Sequence, residues 1–158
     1  LLTSAVVAVI LIKPKARQSA ALVTLKETAM TVWDYEKEYH RYPAEFGEFR
    51  RCSFVASSYR EYPPMAGFYY LGLAPDSQSP LPMVMQTGRP HWFYQKILRW
   101  PQRYWVQFAD GHSELITIAP DATGLQPVSD ALLATHPKLL PYQSILKERI
   151  AQIERDGP

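Results

Sequence analysis

The residues that could carry out chemistry in this sequence are few and widely spaced. Its four histidines are His40, His91, His112 and His136, and none stands at a spacing typical of zinc ligands. The sequence lacks a glycine-rich phosphate loop, a GxSxG serine-nucleophile motif and an HExxH metalloprotease motif. We therefore expect no catalytic residues, no cofactor and no bound metal ion.

The segment Ala-Asp-Gly-His places an acid two residues before an imidazole. Asp110 and His112 could form the acid–base pair of a small hydrolase, which would require a pocket beside them. An Asp-Gly pair between alternating runs more often marks a hairpin tip. There the Asp side chain binds a local amide, and both central positions can need positive φ. We expect Asp110, Gly111 and His112 to form such a turn.

Other metal or redox chemistry has weak support in the sequence. Asp76, Asp110 and Asp121 fall in predicted loops and could offer oxygen ligands to Ca²⁺. They lack the dense Asp/Asn spacing of a calcium-binding loop. Cys52 is the only cysteine, which excludes an internal disulfide. We expect it to be a small buried apolar side chain.

Length and composition indicate one compact domain with appendages. The chain has 158 residues, a net charge of +2 and no basic stripe, so we expect no nucleic-acid partner. It contains 14 Pro, 10 Tyr, 6 Phe and 4 Trp. Prolines end helices and are excluded from central strands, so loops should be extensive and aromatic side chains should supply much of the burial.

The first twelve residues, LLTSAVVAVILI, are almost continuously apolar. A span of the bilayer needs about 20 residues, so we expect the run to be the back half of a membrane-inserted helix. Residues 13–17, KPKAR, would mark the water interface. We assign residues 1–15 to this segment. The side chains expected to mediate membrane contact and assembly are Val6, Val7, Val9, Ile10, Leu11 and Ile12.

A second helical pattern runs from about residue 17 to residue 39. Apolar side chains recur every three or four positions and should pack on a sheet, whereas charged residues fall mostly on the other side. Pro43 should end this helix within HRYP. The stripe consists of Leu22, Leu25, Ala29, Val32 and Trp33, and the charged set of Lys26, Glu27, Asp34, Lys37 and Glu38.

The remaining patterns predict antiparallel strands followed by helix. Strands are expected over residues 67–73, 81–85, 104–108 and 114–118. A helical tail is expected from about Ser129, with Pro141 in a first turn. Its apolar stripe would be Ile145, Leu146, Ile150 and Ile153. The predicted fold is α+β: a long N-terminal helix packed on a small antiparallel sheet within a head of residues 16–120, and a tail of residues 121–158.

The apolar segment, the amphipathic helix and its ending in YEKEYHRYP together resemble the stem of bacterial type IV pilins and type II secretion pseudopilins. FYYLGLAPDSQSPLP and WVQFADGHSELI resemble one branch of that family, the prepilin-like proteins of Verrucomicrobia and Planctomycetes. The similarity spans roughly residues 1–118. The matching positions are Tyr69, Tyr70, Gly72, Leu73, Phe108, Ala109, Asp110, Gly111, His112 and Glu114.

This resemblance implies a pilin-like fold and a non-enzymatic structural subunit of a pilus or pseudopilus filament. The subunit would be anchored in the bacterial inner membrane with its head in the periplasm. Its partners would be other pilin-like subunits and the secretion or pilus assembly machinery. An alternative is a single-pass, membrane-anchored periplasmic ligand-binding module, in which Trp92, Phe93 and Tyr94 grip sugars or peptides.

Overall fold

The computed structural model describes residues 22–45, 47–48, 68–72, 82–88 and 101–156. Helix α1 covers residues 22–39. The strands are β1 (Phe68–Tyr70), β2 (Pro82–Gly88), β3 (Gln102–Phe108) and β4 (Ser113–Ile118). Helices α2 (Gln126–Thr135) and α3 (Gln143–Asp156) follow, with a 3-10 helix (Pro137–Tyr142) between them. The expected α+β class, with an antiparallel sheet and a helical C-terminal region, is confirmed.

The four strands form one sheet in chain order, β1-β2-β3-β4, with every neighbouring pair antiparallel. The β3–β4 pairing runs from Gln102 opposite Ile118 to Gln107 opposite Ser113. Successive side chains of a strand point to opposite faces. The sheet therefore presents two faces, and helices from the two ends of the described chain pack on them.

Helix α1 packs on the first face of the sheet. Leu25, Ala29 and Val32 are fully buried there against a group that includes Tyr70 and Ala109. Trp33 packs on this group as a half-buried side chain, and Leu22 is also half-buried. Every residue of the predicted charged set is exposed. The predicted stripe of α1 is thus confirmed, because a period of 3.6 residues keeps apolar side chains on one face.

The α1 helix ends where the proline pattern predicts. His40 adopts a left-handed backbone with φ of 53°, and its N–H donates to the carbonyl of Glu36 at 2.7 Å. A left-handed residue directly after the last turn is a common way to satisfy helix carbonyls. The chain then leaves toward Pro43, whose ring disfavours helical backbone in the residue before it.

Helices α2 and α3 cover the second face of the sheet. Tyr104, Val106 and Phe108 alternate along β3 and share one core with Ile116 and Ile118 of β4. The helical side of this core consists of Leu125, Val128, Leu132, Leu133, Leu139, Leu146 and Ile150. Residues 121–156 therefore belong to the packing of the head, and the sheet lies between two helical layers.

The C-terminal boundaries differ from the sequence-based expectation. Helix α2 begins at Gln126 and not near Ser129, because Pro127 lies in the first turn, where its fixed φ favours helix. Pro141 lies inside the 3-10 helix and not in the first turn of α3. In the predicted stripe of α3, Leu146 and Ile150 are buried and Ile153 is half-buried, but Ile145 is exposed.

Helix α3 is also tied to the loop that follows α1. The guanidinium of Arg149 donates from Nε to the carbonyl of Leu71 at 3.0 Å and from Nη2 to the carbonyl of Ala44. Beside it, the hydroxyl of Tyr70 donates to the carbonyl of Pro43 at 2.7 Å. Burial raises the pKa of this hydroxyl well above its usual range. The hydroxyl therefore stays protonated and acts as a donor.

Several predicted features lie outside the described residues. They include the apolar segment with Val6, Val7, Val9, Ile10, Leu11 and Ile12, as well as Cys52, Asp76, His91 and the aromatic run Trp92 to Tyr94. Within the ranges that are described, no helix has both the length and the apolar character needed to cross a bilayer.

Candidate functional site

The β3–β4 hairpin closes with a three-residue loop, residues 109–111. The N–H of Gly111 donates to the carbonyl of Phe108 at 3.1 Å, and the N–H of Phe108 donates to the carbonyl of His112 at 3.0 Å. Gly111 has φ of 95°, as expected, but Asp110 does not have positive φ. The predicted hairpin is confirmed. Only Gly111, and not both Asp110 and Gly111, has positive φ, because a three-residue loop needs only one left-handed residue.

Asp110 organises the tip of this hairpin. One carboxylate oxygen accepts from the main-chain N–H of His112 at 3.1 Å and lies 2.5 Å from Nδ1 of the same histidine. Partial burial alone would raise the pKa of Asp110, but the bonds from His112 lower it below its ordinary value. The predicted turn chemistry of Asp110 is confirmed, and the same carboxylate also orients the imidazole.

A buried glutamine braces the base of the hairpin. Gln107 is 1% exposed, and its side-chain nitrogen donates to the carbonyl of His112 at 2.9 Å. Its side-chain oxygen accepts from the hydroxyl of Ser113 at 2.6 Å. A buried amide needs such partners to avoid a desolvation cost. The hydroxyl of Ser113 is thus directed toward Gln107.

The end of α2 brings a second histidine to this hairpin. His136 directly follows the last residue of α2, and its Nε2 lies 2.8 Å from a carboxylate oxygen of Glu114 on β4. The buried ring of Phe108 contacts both imidazoles. Its centroid is 4.2 Å from that of His112, in a stacked arrangement, and 5.1 Å from that of His136.

His112, Glu114 and His136 together form a compact cluster of possible metal ligands. One ligand atom from each residue lies within 4.8 Å of those of the other two. His112 is exposed, whereas Glu114 and His136 are half-buried. Two imidazoles and one carboxylate are a donor set suited to zinc and other divalent transition metals.

Sequence reasoning found His112 but missed Glu114 and His136 as its neighbours. The missed signal was the His-x-Glu spacing of His112 and Glu114 at the start of β4. Residues two positions apart in a strand lie on the same face of the sheet, so an imidazole and a carboxylate come together there. The position of His136 depends on the packing of α2 against the sheet, which no local pattern reveals. His40 ends α1 and does not belong to the cluster, and Asp121 lies exposed in the turn after β4.

No family model, curated protein or solved structure matches this chain.

Proposed function

We propose that this protein is a non-enzymatic structural subunit of a filament of the type IV pilus or type II secretion pseudopilus kind. Its fold would be pilin-like, with the apolar segment anchored in the bacterial inner membrane before assembly and the head in the periplasm. Its partners would be other pilin-like subunits and the secretion or pilus assembly machinery.

The observation that carries this proposal is the packing of α1. One stripe of the helix is buried on the sheet through Leu25, Ala29 and Val32. The sequence just before this helix contains the apolar run of residues 1–12. Such a segment is apolar at its start and amphipathic where it meets the head. Its apolar side chains could be covered by lipid before assembly and by neighbouring helices in the filament, so that little apolar surface would become exposed on assembly.

The outer face of α1 gives further support. Met30 is 60% exposed and Val23 is 55% exposed, one heptad apart on the side away from the sheet. Glu27 and Asp34 lie close to them on the same side of the helix. A mixed apolar and charged strip suits contacts between identical subunits arranged head to tail, which extend without closing into a ring.

Membrane anchoring is tested by the substitution Val9→Asp. A charge near the bilayer centre costs about 2.5–3.5 kcal/mol, so the variant should leave the membrane fraction while the head still folds. Leu140→Asp is the matched control, since it adds the same charge at a position 53% exposed in the head. The measurement is membrane fractionation of cells that express each form. The proposal fails if Val9→Asp remains in the membrane like the native protein.

Assembly is tested separately by Met30→Glu. This variant should stay in the membrane and keep its fold, but chemical cross-linking between subunits in the membrane should fall. Leu140→Glu adds the same acid at a position 53% exposed on the 3-10 helix, outside α1, and should leave the cross-linking unchanged. A protein that remains monomeric in its native form, or that cross-links equally well with Met30→Glu, would instead favour the single-pass ligand-binding module.

A further inference from the structure

We propose that His112, Glu114 and His136 form a binding site for one divalent transition-metal ion of the Zn²⁺ class. The site would join the tip of the β3–β4 hairpin to the end of α2. It rests on the described side chains alone and is independent of the filament proposal.

The first argument concerns the orientation of His112. Its Nδ1 lies 2.5 Å from a carboxylate oxygen of Asp110, which leaves Nε2 as the nitrogen available to an ion. A carboxylate that accepts from one imidazole nitrogen while the other binds metal is a recurrent arrangement in zinc sites. It sets the ring orientation and makes the ligand nitrogen more basic. Stacking on Phe108 restrains the same ring from its face.

His136 is oriented in the same way by a different neighbour. Its Nδ1 lies 2.8 Å from the hydroxyl oxygen of Thr135. That hydroxyl has one proton, which is directed to the carbonyls of Ala131 at 3.0 Å and Leu132 at 3.2 Å. The contact with Thr135 thus occupies Nδ1, and Nε2 of His136 is the ring nitrogen that faces Glu114.

The contact between His136 and Glu114 can be made by a proton or by a metal ion. Nε2 lies 2.8 Å from the carboxylate oxygen. A direct hydrogen bond between these two atoms requires a proton on Nε2. A metal ion would take the place of that proton and bind both the nitrogen and the oxygen. Asp110 and Glu114 also contribute negative charge near the ion.

The donor set selects the class of ion. Imidazole nitrogens favour Zn²⁺, Cu²⁺, Ni²⁺ and Fe²⁺, whereas Ca²⁺ and Mg²⁺ prefer oxygen ligands. Three protein ligands leave a fourth position for water in a tetrahedral site. His112 is exposed, so solvent provides an entry path.

The experiment uses the metal-free full-length chain in detergent micelles. Co²⁺ is titrated while the visible absorption spectrum is recorded, and Zn²⁺ is then added to displace it. Equilibrium dialysis gives the number of ions per chain. The variants are His112→Gln, His136→Gln, Glu114→Gln and Asp110→Asn. His40→Asn is the control, since it removes a histidine outside the cluster and Asn tolerates the left-handed backbone at that position.

The native chain should bind one ion with an absorption band typical of cobalt bound by nitrogen ligands. Asp110→Asn should weaken binding by about 10–100-fold, as expected for a residue that only orients a ligand. His112→Gln and His136→Gln should weaken it further, and His40→Asn should leave it unchanged. At a free Zn²⁺ concentration of about 100 times Kd, the ratio of folded to unfolded protein should rise about 100-fold.

Three results would overturn the proposal: no saturable binding by the native chain, equal binding by His112→Gln, or an equal loss in His40→Asn. Far-ultraviolet circular dichroism establishes that each variant is folded. His136→Gln removes the contact with Glu114 and could unfold the chain. In that case His112→Gln alone tests the metal site, because the ring of His112 is exposed and its replacement should leave the fold intact.

Discussion

The Nε atom of Arg149 in α3 donates a hydrogen bond to the main-chain carbonyl of Leu71 at 3.0 Å, across 78 positions of sequence. Its Nη2 atom reaches the carbonyl of Ala44, and its Nη1 atom donates to the side chain of Gln152 at 2.8 Å. One guanidinium thus holds the end of β1, the loop after α1 and the C-terminal helix together.

Replacing Arg149 with alanine should destabilise the head. The substitution leaves the carbonyls of Leu71 and Ala44 without a charged donor, and a hydrogen bond of this kind contributes about 1.5–3 kcal/mol. We expect the free energy of unfolding, measured with urea, to fall by about that amount. Arg155→Ala, at an exposed position on the same helix, should change it by less than about 0.5 kcal/mol. Equal effects of the two variants would contradict this role.

Two glycines should differ in their tolerance of alanine. Gly111 has φ of 95°, and an added Cβ would make only an ordinary van der Waals contact with the side chain of Trp33 at 3.8 Å. Gly111→Ala should therefore cost about 1–2 kcal/mol from the backbone alone. Gly72 has φ of 61°, and its added Cβ would lie 2.7 Å from the carbonyl oxygen of Ala44, so Gly72→Ala should cost more.

Gly47→Ala is the control for these two variants. Gly47 lacks positive φ, and an added Cβ would make only ordinary contacts with the side chain of Glu45. Alanine there should be neutral or stabilise the chain by about 0.4–1 kcal/mol. Urea unfolding of all three variants should give the order Gly72, Gly111, Gly47 from most to least destabilising. A different order would exclude the assigned backbone conformations.

Glu48 should make stability depend on pH in the acid range. Partial burial raises the pKa of this carboxyl, but hydrogen bonds from Tyr35 and Arg41, each 2.9 Å long, lower it below its ordinary value of 4.5. A lowered pKa means that the carboxylate stabilises the fold above pH 4.5 and that this contribution is lost as the pH falls through the lowered value.

The test compares the native chain with Glu48→Gln. The native chain should be the more stable at pH 7, and the difference should shrink toward pH 3. Tyr35→Phe removes one of the two donors and should reproduce part of this dependence. A difference between native chain and Glu48→Gln that is constant from pH 7 to pH 3 would be inconsistent with a lowered pKa.

Helix α3 offers a matched pair for testing whether the C-terminal region shares the core. Ile150 is fully buried, whereas Ile145 is 51% exposed on the same helix. Truncation of a buried isoleucine to alanine costs about 2–5 kcal/mol, and an exposed substitution changes stability by less than about 0.5 kcal/mol. Ile150→Ala should therefore lower the midpoint of the whole urea transition. A transition unchanged in Ile150→Ala would mean that α3 is separate from the head.

The sequence by itself predicted the features that depend on a few neighbouring residues. The stripe of Leu25, Ala29 and Val32 follows from helical periodicity, and the end of α1 follows from Pro43. The hairpin follows from Asp110 and Gly111, because turn geometry depends on backbone angles that only certain residues adopt readily. Each of these features involves hydrogen bonds or packing between positions a few residues apart.

Only the tertiary structure decided which distant residues meet. A C-terminal helical tail was predicted, but its division into α2, a 3-10 helix and α3 was not. Nor was its cover of the second sheet face, because periodicity identifies an apolar stripe without naming its partner. Likewise, His136 reaches Glu114 and His112 because α2 packs on the sheet, and Arg149 reaches Leu71 because α3 packs beside it. Such contacts depend on the placement of whole helices, which is set by the burial of the entire core.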